Sequence, residues 1–281
     1  DLGGTAMSVK RKSGVDLDTG QVSEAQMAYL KQQSQHRKFV KAMRISIVIA
    51  FFFLWELAVR VGWIDGFIFS SPVRIWETMM SMGKDGSLWM HTGATLFETM
   101  ISFFLTVLLG ILTAVLLWCS DSAAEITEPF FVVLNSLPKS ALAPLLIVWL
   151  GANQKTIIVA GMSVAIFGTI LNLYTGFKES GSEKTRLIYT LGGKKHHVLT
   201  KVILPSNIPS IISIMKVDIG LCLVGVIIGE FMGARRGLGY LIIYSSQVFQ
   251  LTRLIMAIVI LCVIAMVLYG ILNMAEKRVR R

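Results

Sequence analysis

With 281 residues, 54% of them hydrophobic and only 16% charged, the chain carries well under the roughly 25% charge of a soluble domain. A mean hydropathy of +0.67 and long unbroken apolar runs exclude an ordinary soluble enzyme and imply an all-α integral membrane fold. Lys and Arg outnumber Asp and Glu by 27 to 17, a net charge of +10 that suits loops facing anionic lipid; membrane lipid is an expected partner and nucleic acid is not.

Residues 1–44 read as a polar tail, without the apolar core of a cleavable signal peptide. Within it SEAQMAYLKQQSQHRKFVKAMR has the pattern of an amphipathic lead-in helix capped by Ser23. About 18 apolar residues are needed to cross the hydrocarbon, and six stretches qualify: 45–62, 95–118, 126–150, 155–177, 206–231 and 254–275. Residues 45–275 therefore predict one six-helix transmembrane domain, and 276–281 a short basic tail. An even number of spans returns both termini to one side. The basic residues of the N-terminal tail, those of the loop after the fourth span (Lys178, Lys184, Arg186, Lys194, Lys195, Lys201) and those of the C-terminal tail then share that side, which predicts cytoplasmic termini.

Between the first two spans, SPVRIWETMMSMG places Ser71 and Pro72 as N-cap and first residue of a short interfacial helix. Trp63, Trp76 and Trp89 fit an aromatic belt. Glu56, in the first span, is expected to face the bundle in a structural role. Cys119, Cys222 and Cys262 sit in or beside apolar runs with no CxxC pair, and are expected to be buried free thiols.

The third span is interrupted by Pro138 and Pro144 beside Asn135, Ser136, Lys139 and Ser140. Polar residues in a broken helix at bilayer depth are tolerated only against protein or a water-filled cavity. Asn135, Ser136 and Lys139 are accordingly candidates for a solute pathway, with structural pairing or snorkelling of Lys139 as the alternative. The fifth span contributes Lys216 and Glu230, whose alternatives are snorkelling and a place near the external vestibule. Gly225, Gly229 and Gly233, four residues apart, give that helix a face on which another backbone can approach closely.

The loop between the fourth and fifth spans, 178–204, is helix-sized, both apolar and basic, and broken at Gly192 and Gly193, so it should form a protruding knob. Its RLIYTLG followed by KKHHVLTKVILP resembles the cytoplasmic loop of the inner-membrane permeases of binding-protein-dependent ABC importers, which reads EAA, three residues, G, and ends in I-x-LP. Thr190, Leu191 and Gly192 fall on the motif, as do Ile203, Leu204 and Pro205; its glutamate and alanines fall on Arg186, Leu187 and Ile188. WELAVRVGWID, SPVRIWETM, SLPKSALAPLLIVWLG and GVIIGEFMGARRGLGYLI extend the resemblance to the nitrate, sulfonate, taurine, bicarbonate and pyrimidine-precursor subgroup. In this subgroup the position of Asp218 is usually a small apolar residue, so Asp218 is either a local partner for a basic group or particular to this protein.

The resemblance implies a type I importer permease whose loop, from Arg186 through Gly192 and Gly193 to Pro205, is the coupling helix that docks on the ATP-binding subunit. It further implies a dimer of that subunit holding the ATP and Mg, an extracytoplasmic substrate-binding protein, a second copy of this chain, and the bacterial cytoplasmic (inner) membrane as location. The solute would be small, and anionic or heterocyclic. No cofactor, metal or catalytic residue is expected in this chain: His196 and His197 have no further ligand at metal spacing, and GFKESGSEKT lacks the order of a phosphate loop. The rival reading is an ion-driven secondary transporter, which would call for inverted repeats that the sequence does not show.

Overall fold

The computed structural model describes residues 24–180 and 182–279. The Ser23 cap, the basic residues before it, and Arg280 and Arg281 lie outside the described residues. The chain divides into two units, 1–54 and 55–281. Of the first, the described part is the beginning of α1 (Glu24–Val61), whose stretch Ala42–Val61 is long and apolar enough to cross a membrane. Its apolar residues point in every direction, Ile47, Ile49 and Phe53 all being more than 60% exposed, which is how a helix reads when lipid is its solvent.

The second unit is built on three long helices, α3 (Ser87–Cys119), α6 (Gln154–Glu179) and α9 (Leu204–Gly233). Lipid offers helices no hydrophobic drive to associate, so packing rests on close backbone approach at small residues. A Cβ on Gly161 would stand 2.7 Å from Val226 Cγ2, and one on Gly225 would stand 2.8 Å from Ala160 O. Hydroxyls complete the contact: Ser102 Oγ donates to Ile158 O at 3.0 Å. The neighbour that the glycine spacing on α9 left open is therefore α6 of the same chain for Gly225 and Gly229; Gly233 packs on Ile147 and Ala152.

The third apolar stretch is two helices, α4 (Asp121–Ser136) and α5 (Lys139–Leu150), bent by 98° at the break. Ser120 caps α4, accepting from Ala123 N at 3.3 Å. Pro138 supplies no N–H and forces Leu137 into extended backbone (ψ 142°), so the helix cannot run through. Among the described residues five helices are long and apolar enough to span a membrane, six when this bent pair counts as one. The predicted count of six is reached only with the bent pair taken as one span, and that third span is not straight.

At the end of the bundle away from the 178–204 loop, α2 (Pro72–Lys84) starts as expected, with Ser71 Oγ accepting from Arg74 N at 3.4 Å. The stretch after α9 holds a short helix, α10 (Leu238–Gln247), before α11 (Leu251–Val279). Leu238, Leu241, Met256 and Ala257 bury these against Ile75 and Leu88. A second apolar cluster, with Leu117, Tyr174, Phe177, Val198 and Ile203, closes the loop end. One expectation is corrected: only Cys222 is buried, whereas Cys119 and Cys262 are exposed on the apolar outside of their helices. An apolar run places a residue at membrane depth but does not say whether it faces protein or lipid.

Candidate functional site

The loop begins with α7 (Ser182–Thr190), which ends where Gly192 turns left-handed at φ +80°. Gly192 N donates to Tyr189 O at 3.0 Å and Gly193 N to Ile188 O at 2.9 Å, so the spare carbonyls of the last turn are used up. A Cβ at Gly193 would lie 2.8 Å from Ile188 O, which demands glycine; one at Gly192 would meet nothing within 4 Å. After the turn come α8 (Lys195–Val198) and a single π-helical turn, Leu199–Ile203, leading into α9. His197 Nδ1 accepts from Lys194 N at 3.1 Å and caps α8.

The two sides of this knob differ sharply. Leu187 is 59% exposed and Leu191 76%, four residues apart on one face, and Arg186 and Thr190 are exposed beside them. Val198 and Ile203 are almost fully buried against Tyr174, Phe177 and Leu117. Asn207 Nδ2 donates to Ile203 O and to Ser180 Oγ, both at 2.8 Å, tying the start of α9 to the end of α6. Pro205 follows directly on the π-helical turn, inside a helix that runs on from Lys195 to Gly233, and its missing N–H coincides with that local change of hydrogen-bond register. The loop is thus an apolar tip on a clamped base.

A cavity of about 180 Å³, lined by both polar and apolar side chains, opens where the break between α4 and α5 meets α6 and α9. Asn135 and Lys139 line it from the break, Thr169 and Asn172 from α6, and Ser213 and Asp218 from α9. Lys139 Nζ donates to Asn135 Oδ1 across the break at 3.3 Å. Thr169 Oγ1 donates to Asp218 Oδ1 at 2.9 Å, while Asp218 Oδ2 is buried with no hydrogen-bond partner. Of the five pathway candidates, Asn135 and Lys139 line this cavity. Ser136, next to the break, donates to Val132 O at 2.9 Å. Sequence reasoning did not group Thr169, Asn172 and Ser213 with them, though polar residues three apart inside an apolar helix were a legible signal.

The other two candidates serve elsewhere. Lys216 Nζ pairs with Glu276 Oε2 and links α9 to α11, both side chains being largely buried. Glu230 is fully buried at the opposite end. It accepts from Thr95 Oγ1 at 2.7 Å and from Gly239 N at 2.6 Å, and Leu238 N donates to Thr95 Oγ1 at 2.8 Å. Gly237 has φ +115°, and a Cβ there would collide with the Glu230 carboxyl. The string GEFMGARRGLG is therefore a clasp in which a buried carboxyl holds a turn that only glycine can bring so close. Glu56 is likewise structural in its bonds, accepting from Arg60 Nε at 2.8 Å and from Val73 N at 3.4 Å.

A bundle of apolar helices with a broken span, a cavity at that break carrying Lys139 and Asp218, and a knob of apolar tip and fixed base defines a transport permease. Residues 106–281 match the family described as binding-protein-dependent transport system inner membrane component, and the chain belongs to that family. It is thus the multi-pass membrane subunit of an ABC importer. It is 28% identical over 223 residues to a probable ABC transporter permease protein of Haemophilus influenzae, covering 79% of this chain and 90% of that one. It is 29% identical over 189 residues to the formylaminopyrimidine transport permease protein ThiX of Halalkalibacterium halodurans, covering 66% and 74%. The taurine transport system permease protein TauC of Escherichia coli is 25% identical over 232 residues, covering 80% and 84%. The fold matches a chain of the MetNI methionine ABC transporter in an inward-facing conformation, with a TM-score of 0.62 at 18% identity, over 73% of this chain and 99% of that one.

Proposed function

We propose that this permease subunit pairs with a second copy of itself to enclose the path of a small solute, and that a separate cytoplasmic ATP-binding subunit, present as a dimer and holding the ATP and Mg, drives it through the 178–204 loop. The observation that carries this reading is the exposed face of Leu187 and Leu191 on a base fixed by Val198 and Ile203. An apolar tip of this kind suits a groove on a partner. Displacement of the tip passes through the buried base and Asn207 to the adjoining ends of α6 and α9, which then move as rigid bodies. Arg186, Leu187 and Ile188 stand where the family's loop carries a glutamate and alanines, so contact with the partner rests on apolar packing and a positive charge.

The loop and both termini are cytoplasmic in this reading, a placement supported by the basic residues gathered there. The solute arrives on an extracytoplasmic binding protein. Relatives named for taurine and formylaminopyrimidine transport support a small anionic or heterocyclic solute.

Mass spectrometry of the complex, purified in mild detergent through a C-terminal tag on this chain, tests the assembly. An ATP-binding subunit and a binding protein are expected in fixed stoichiometry. Recovery of this chain alone from several gentle detergents would favour the ion-driven alternative. The coupling role is tested by Leu191→Glu, which puts a charge on the 76% exposed tip and leaves the left-handed turn at Gly192 intact. ATP hydrolysis should continue while uptake falls by about tenfold or more; unchanged uptake would refute the role of the knob.

A further inference from the structure

The cavity between the α4–α5 break, α6 and α9 carries both signs of charge, and that has a consequence for the solute. Asp218 stands at the middle of α9 and is only 3% exposed, yet one of its carboxyl oxygens has no donor. Thr169 Oγ1 lies 2.9 Å from the other oxygen and equally 2.9 Å from Ala165 O, so its one proton is shared between two acceptors and orients Asp218 without satisfying it. A buried polar atom left in this state is unfavourable unless water or a ligand completes it. Lys139 lines the same cavity, and among the described residues it hydrogen-bonds only to the amide of Asn135, a neutral acceptor that does not compensate its charge. Asn172 and Ser213, both exposed, bring further donors and acceptors to a surface that would otherwise meet lipid.

At about 180 Å³ the cavity lies below the roughly 300 Å³ at which whole-ligand pockets begin, so it suits one end of a solute. A simple anion would satisfy Lys139 and be repelled by Asp218. A solute with a donor N–H or ammonium group next to an acceptor satisfies both.

We infer that Asp218 and Lys139 form a two-signed subsite that takes the amine-bearing end of the transported solute, making that solute a zwitterion or an amino-substituted heterocycle and not a simple anion. The inference rests on the reading of this chain as the pathway subunit and narrows its substrate class.

The test uses the full chain in its native membrane with Ser213→Cys as reporter and the exposed Cys119 and Cys262 replaced by Ala. Its thiol is reacted with aminoethyl and with sulfonatoethyl methanethiosulfonate, reagents of similar size and opposite charge. The same background without the reporter corrects for Cys222. Relative to a free thiol in solution, the aminoethyl reagent should be favoured about tenfold; Asp218→Asn should abolish that preference and Lys139→Gln should enlarge it. A ratio unchanged by Asp218→Asn would overturn the inference, as would a preference for the sulfonate or no reaction with either reagent. Asp218→Glu, which retains the charge, should keep the preference and so separates charge from misfolding. Because the readout needs no ATPase, it stands apart from the assembly: a flat ratio in a chain recovered with its ATP-binding subunit removes the subsite alone, and an intact ratio in a chain that recovers no partner removes the importer coupling alone.

Discussion

Single residues in this chain are committed to one task each, and burial decides which. Glu230 is occupied by Thr95 Oγ1 and by Gly239 N, so it acts as a structural clasp. Glu230→Ala removes the acceptor for two buried donors, each worth about 1–3 kcal/mol when left unsatisfied. The expected result is a lower unfolding midpoint for the detergent-solubilised chain, with Glu230→Gln, which keeps one carbonyl oxygen, falling between the two. Gly237→Ala should be at least as damaging as Glu230→Ala, because it adds left-handed strain to a direct collision with the carboxyl. At this scale the sequence was informative about kind but not about partner. Charges at membrane depth marked Lys139, Lys216, Asp218 and Glu230 as special, and all four are engaged. Which of them shares a cavity depends on helix rotation and on neighbours far along the chain, and one strand of text carries neither.

Helices show the reverse pattern, since their positions were legible and their mutual arrangement only partly so. Apolar length placed five long spans and the bent α4–α5 pair, Ser71 and Pro72 placed the start of α2, and Gly192 with Gly193 placed the turn of the loop. The depth of the bend at Pro138 was not readable, because a proline licenses any kink and the packing of α5 on α6 and α9 selects one. Nor did apolar patterning announce α10, whose ten residues are too short to span and sit inside a stretch that reads as a connection. The tie between α9 and α11 makes a prediction of its own. Lys216→Ala removes one largely buried partner of Glu276 and should lower stability; Glu276→Leu in the same background should then cost less than it does alone, read as a double-mutant cycle in denaturant.

Over the whole molecule, polarity is arranged opposite to that of a soluble protein. Thr95, Thr99, Ser102, Thr106 and Thr169 are buried, whereas Leu112, Leu116, Phe104 and Val263 face outward. Thr95, Ser102 and Thr169 spend their hydroxyls on partners inside the bundle, and lipid solvates the apolar exterior. Substituting the seam should therefore matter more than enlarging the outer surface. Gly161→Leu is expected to prevent α3, α6 and α9 from closing and to abolish recovery of a monodisperse chain in size-exclusion chromatography; Leu116→Ile should leave the profile unchanged.

The bend at Pro138 also bears on how the protein reaches its membrane. At about 1.5 Å per residue the 16 residues of α4 and the 12 of α5 each fall short of the roughly 30 Å hydrocarbon, and set at 98° they cannot combine into one straight crossing. This segment is thus a poor candidate for independent release from an insertion channel into lipid. Its place in the bilayer is made by α6 and α9, both of which are synthesised after it. The expected outcome is that glycosylation mapping of chains truncated after residue 152 shows mixed orientations of this segment, which resolve to one when the chain extends through residue 233.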